Sequence, residues 1–97
     1  ERGSVMCIEV AEHIPAKFEQ QLLKTIDDRV LDDLVLSWAV VGQSGIGHVN
    51  CRNKDYVVDT LRNMGYSYNR EASESWRAQA GKDLFWLKNS LYVFHRT

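Results

Sequence analysis

Leu-Val-Leu-Ser-Trp-Ala-Val-Val (34–41) is the longest uncharged apolar run in the chain. It is too short to cross a bilayer. Its length and β-branched content predict a strand rather than a helix. Val-Met-Cys-Ile-Glu-Val (5–10) reads the same way. Neither run alternates, so both suit a parallel sheet covered on its two faces. Between them, Phe18, Leu22, Leu23 and Ile26 recur at helical spacing over 16–26, while Lys17, Glu19, Gln20, Gln21 and Lys24 fall mostly outside that face. Pro15 fits the first turn of that helix.

Beyond 41 the pattern continues. Residues 42–53 hold three glycines and no helical period, which predicts a long loop. Asn53 is placed to cap a helix whose inner face is Val57, Leu61 and Met64, with Gly65 as its stop. A short extended piece, 66–68, precedes a helix over 71–80 with Ala72, Trp76 and Ala80 on one face and Gly81 at its end. Residues 91–94 form the last strand. Alternating strands and helices predict an α/β sheet flanked by helices. No internal repeat, linker or low-complexity tract interrupts it, so 5–97 reads as one domain or part of one. Residues 1–4 read as an extension.

Composition is that of an ordinary globular chain, with 44% apolar and 26% charged residues. Twelve basic and 13 acidic residues leave a net charge of -1, which argues against a nucleic-acid surface. Arg52, Lys54, Arg62, Arg70 and Arg77 are dispersed, as on a solvated surface. No membrane span or signal peptide is read. Cys7 and Cys51 make no disulfide framework, and a cytoplasmic location fits.

Three stretches carry a resemblance. Cys-Ile-Glu-Val-Ala-Glu-His-Ile-Pro (7–15) resembles the end of the fourth strand of class I S-adenosylmethionine-dependent methyltransferases. Residues 36–51, Leu-Ser-Trp-Ala-Val-Val-Gly-Gln-Ser-Gly-Ile-Gly-His-Val-Asn-Cys, are similar to that family's fifth strand and following loop. Phe-Trp-Leu-Lys-Asn-Ser-Leu-Tyr-Val-Phe (85–94) is similar to the approach to its last strand. The resemblance implies a partial Rossmann-like sheet. The family's order is 3-2-1-4-5-7-6, with strand 7 antiparallel, and this chain would supply strands 4 to 7. The Gly-rich turn and acidic strand end that hold most of the methyl donor belong to strands 1 and 2. Gly42, Gly45 and Gly47 do not replace them, because they follow the wrong strand, and loop flexibility accounts for them.

The implied function is methyl transfer to an unidentified acceptor, by a chain inactive without its other half. The alternative is a non-catalytic, self-associating interaction module or a gene fragment. The resemblance implies weak donor contacts at Glu9, Val10 and Ala11, and no catalytic residue is identified. An open strand edge and uncovered helix faces would favour a homo-oligomer, or a complementing N-terminal half.

Glu9, Glu12, His13 and His48 lie at the carboxyl ends of the first two strands, where α/β sheets bind ligands. Their oxygen and nitrogen donors suit Mg²⁺, Mn²⁺, Fe²⁺ or Zn²⁺. The same Glu-x-x-Glu-His pattern resembles that of ubiquinone-biosynthesis O-methyltransferases and small-RNA 2′-O-methyltransferases, some of which hold a metal there. Glu12 and His13 also suit a helix cap, and His48 a bond to loop backbone. Trp38 and Trp86 fit the core or an acceptor pocket, and Trp76 fits a gap between elements.

Overall fold

The computed structural model describes residues 3–42, 45, 47–83 and 89–97. Phe85 and Trp86 lie outside them. The chain runs β1 (Gly3–Cys7), two 3₁₀ turns (Ala11–His13 and Ala16–Phe18), α1 (Glu19–Asp27), β2 (Val30–Ser37), α2 (Lys54–Asn63), β3 (Tyr66–Tyr68), α3 (Arg70–Asp83) and β4 (Leu91–Arg96). It is an α/β fold with one four-stranded mixed sheet in the order β1-β2-β4-β3. β1 and β2 are parallel, and β4 is antiparallel to both β2 and β3. Among the described residues, no helix is long and apolar enough to cross a membrane.

The strands end earlier at their carboxyl ends than the apolar runs do. β1 stops at Cys7 because the chain turns at Glu9, whose φ is 57° and whose N–H donates to Ser37 Oγ at 2.6 Å. β2 stops at Ser37: one further bond continues the pairing toward β4, and the amide after it turns to a side chain. Trp38 N–H donates to Ser90 O, and Ala39 N–H to Glu12 Oε1.

One face of the sheet carries the core. Leu34, Leu36, Tyr92 and Phe94 pack with Leu23 and Ile26 of α1 and Val57 and Leu61 of α2. These two helices therefore share a face, as their apolar spacing requires. The other face is partly open. Met6, paired with Val35, is 62% exposed. Cys7 is buried and unpaired, as its apolar strand predicts.

The helix α3 departs from its predicted role. It runs through Gly81 to Asp83, because glycine weakens a helix without blocking its hydrogen bonds. The Ala72–Trp76 stripe does not lie in the core, and Trp76 is 44% exposed. Ser73 and Arg77 point inward instead, for a reason that lies in β4.

The β3–β4 ladder ends at the Tyr68–Phe94 pair. Beyond it, Asn69 N–H donates to Val93 O, Val93 N–H to Ser73 Oγ at 2.8 Å, and Arg77 Nε to Leu91 O at 2.6 Å. α3 thus replaces a missing strand with side chains one turn apart, satisfying backbone groups that burial would otherwise orphan. Arg77 is a strand-edge cap rather than the solvated cation its sequence context predicts. Ser73→Ala would strand the buried Val93 N–H. A loss of about 1–2 kcal/mol is expected, together with faster amide exchange at Val93; denaturant titration and hydrogen exchange read both.

Candidate functional site at the carboxyl edge of β1 and β2

The segments leaving β1 and β2 meet at one edge of the sheet. Glu12 is their junction. It sits in the first 3₁₀ turn and is only 3% exposed. Its carbonyl accepts the N–H groups of Val49 and Asn50 at 2.9 and 3.0 Å. Its side-chain Oε1 accepts Ala39 N–H at 2.9 Å. One residue thereby fixes both ends of the loop after β2. Its charge adds to burial in pushing the Cys7 and Cys51 thiols above their ordinary range.

Glu12 Oε2 is buried and has no hydrogen-bond partner. It lies 3.8 Å from His13 Nε2. His13 Nδ1 lies 3.0 Å from the carbonyl oxygen of Gly47. A carbonyl only accepts, so that contact assigns the ring proton to Nδ1. A buried carboxylate oxygen without a hydrogen-bond partner thus stands beside the far edge of the imidazole.

His48 completes the group, its ring centroid 5.0 Å from that of His13 in an edge-to-face arrangement. The loop closes tightly over this pair. A Cβ on Gly47, whose φ is 78°, would lie 3.0 Å from His13 Nδ1. A Cβ on Gly45 would lie 2.5–2.9 Å from the His48 ring. The glycines therefore serve close approach to two imidazoles, a more specific role than loop flexibility.

Glu9 is exposed. Val10 is 38% exposed and Ala11 is buried, so the turn presents one apolar side chain and one strained backbone position outward. Among the described residues, no set of three or more His, Cys, Asp or Glu side chains is placed to hold a metal ion. Glu12, His13 and His48 come together, but not as a formed three-donor cage.

Trp38 is fully buried. Its Nε1 donates to Asn50 O at 2.8 Å, and its ring meets Tyr56 edge-on at 6.0 Å. Trp86, the second candidate for an acceptor pocket, lies outside the described residues.

Sequence reasoning missed a second acidic centre. Glu19 opens α1 and is 3% exposed, although its position in the helical repeat predicts a solvent-facing residue. Its Oε1 accepts from Asn50 Nδ2 at 2.8 Å, from Arg52 Nε at 3.2 Å and from Arg52 Nη2 at 3.1 Å. Its Oε2 accepts from the Tyr56 hydroxyl. Burial pushes the Glu19 carboxyl up, but the bonds from Tyr56 and Asn50 and the charge of Arg52 outweigh it and hold the group below its ordinary range. Burial and the Glu19 charge push Tyr56 upward. Arg52, whose guanidinium lies 4.2 Å from the centre of the Tyr56 ring, is therefore a buried-network partner rather than a free surface cation.

Ile14, Pro15, Phe18, Gln21, Leu22 and Thr25 line a shallow apolar cleft on α1 and the segment leading into it. No known protein family, curated protein or solved structure matches the chain.

Proposed function

We propose that the chain is the C-terminal half of a class I methyltransferase-like domain, with methyl transfer to an unidentified acceptor as its parent chemistry. The observation that carries this reading is the strand order. β1-β2-β4-β3 with an antiparallel β4 corresponds to 4-5-7-6 of the resembled sheet. Glu9, Val10 and Ala11, at the turn after β1, would then touch the donor. Most of the donor's cradle belongs to the complementary half, whether that half lies on the same polypeptide or is supplied in trans. Methyl transfer depends on holding donor and acceptor in line, so residues 1–97 alone would lack activity. A cytoplasmic location goes with this reading.

A divalent cation at the same edge is a second reading, favoured by the orphaned Glu12 Oε2 facing His13 Nε2. Glu12, His13 and His48 would hold it, with Glu9 reaching in from the adjacent turn. A bound cation would lower the pKa of an acceptor hydroxyl. Glu12 and the imidazoles would supply its oxygen and nitrogen donors.

Self-association belongs to the same proposal. Among the described strands, β1 lies at an edge of the sheet and carries Gly-Ser-Val-Met-Cys without a charge, and charge is a common guard of an exposed edge.

The test is calorimetric titration of S-adenosylhomocysteine, with and without Mn²⁺, on protein whose solution mass has been measured. Micromolar binding by a dimer would support a donor site rebuilt between copies. Binding only with Mn²⁺ would favour the cation reading. A folded chain that binds neither fits a half-domain without the donor's main cradle and counts against the cation reading; a monomer in solution counts against self-association, and tight donor binding by that monomer would overturn the half-domain reading.

A further inference from the structure

We infer that Glu19 is a positioning residue for the His13–His48 pair: its carboxylate fixes the segment that holds His48 against His13. The inference deepens the reading of the carboxyl edge as the functional site and rests on it.

Among the described residues, every donor to the Glu19 side chain comes from one short segment. Asn50, Arg52 and Tyr56 follow His48 by two, four and eight residues. A buried carboxylate is tolerated only while its lone pairs are met, because an unpaired charge in the interior is costly. The segment therefore cannot shift without stranding that charge. On the other side of His48, Gly47 O meets His13 Nδ1. Between these two anchors, Val49 and Asn50 are bonded through their amides to Glu12 O. Glu12 and the Glu19 clamp thus hold His48 from the strand side and the helix side. Without Glu19, the side chains of Asn50, Arg52 and Tyr56 lose their common acceptor, and the segment keeps its bonds to Glu12, Trp38, Ala39 and Val41 but none to α1 through that carboxylate.

A general structural role would make Glu19 replaceable without consequence for the imidazoles in particular. A positioning role predicts a local signature. In proton NMR of the intact chain, the parent protein should show a nuclear Overhauser cross-peak between the His13 and His48 rings. Glu19→Gln keeps the shape, removes the charge and should abolish that cross-peak while the β-sheet amide signals stay dispersed. Asp27→Asn, which disturbs a hydrogen-bonded carboxylate elsewhere in the fold, should lower the melting temperature and leave the cross-peak intact.

Retention of the cross-peak in Glu19→Gln overturns the inference, as does its absence from the parent protein. Loss in both variants also overturns it, since general loosening would then explain the effect. If Glu19→Gln does not fold, Tyr56→Phe removes one donor and should weaken the same cross-peak at least twofold; an unchanged cross-peak there is equally decisive against it. None of these readings depends on donor binding, so failure of the methyltransferase reading would be seen separately.

Discussion

Replacing Trp38 by Ala lowers the stability of the fold by about 3–5 kcal/mol, the range for removing a large buried aromatic side chain. Trp38 has no exposed surface and is among the largest fully buried side chains. Its removal opens a space beneath the loop and takes the Nε1 donor from Asn50 O. That carbonyl is carried by a residue already held by Glu12 and Glu19, so it has little freedom to find another donor. A small domain has a total margin of only about 5–15 kcal/mol. With a urea slope of about 1–3 kcal/mol per molar, the unfolding midpoint should fall by more than about 1 M. Far-UV circular dichroism reads the transition without relying on the indole removed. Trp38→Phe fills most of the space but lacks the donor, and should cost less. A loss below about 1 kcal/mol for the alanine variant would contradict full burial.

Arg96→Met should cost about 2–4 kcal/mol, because it strands several acceptors at once. The two N–H groups of Arg96 Nη2 are shared among Asp27 O at 2.9 Å, Val30 O at 3.0 Å, Asp27 Oδ1 at 2.8 Å and Tyr66 Oη at 2.7 Å. These bonds join the end of α1, the start of β2, β3 and β4. The Arg96 and Asp27 side chains are 31% and 36% exposed, so solvent screens the ion pair and the carbonyl bonds carry much of the effect. Methionine retains apolar packing and isolates the loss of the guanidinium.

The pH dependence gives this prediction a sign. The hydrogen bond from Tyr66, followed by that from Arg96, holds Asp27 below its ordinary range. A depressed carboxyl contributes stability that is full above its unfolded pKa, about 4, and is lost as pH falls through its folded pKa. The difference between Arg96→Met and the parent should therefore be largest near neutrality and narrow in acid. At the other extreme, burial and then Asp27 push Tyr66 up to about 12. Its contribution is full below about pH 10 and is lost as pH rises toward its folded value. Denaturant titration across pH measures both limbs; a constant difference between variant and parent would remove the Asp27 pairing from the account.

What the sequence made legible follows from where each interaction partner lies. The apolar residues 34–36 and 91–94 announce strands because their own side chains are buried. Their limits are less legible, since β2 ends where Glu12 Oε1, from another segment, takes the Ala39 amide. Glu19 reads as a polar helix residue because its donors lie 31, 33 and 37 positions later. The inner face of α3 differs from the one its apolar spacing predicts for another reason. Apolar periodicity finds a helix that covers an apolar surface, whereas α3 covers unpaired backbone and therefore turns Ser73 and Arg77 inward. The Glu12–His13–His48 cluster was legible as loops leaving parallel strands at one edge. Its tight closure was not, because that required Gly45 and Gly47 to be seen against the two rings.

The placement of β4 inside the sheet limits how far edge-to-edge growth can run. Both sides of β4 are in use, one by β2 and the other by β3 and then α3. β3 contributes only three residues at the far edge, too few to template a long ladder. Among the described strands, β1 alone offers a ladder of useful length. Two copies joined across it by a two-fold axis would consume that edge on both chains and leave only blunt ends outward. Strand addition would then terminate at a pair, giving a closed assembly where a sheet open at both long edges would propagate into a fibre.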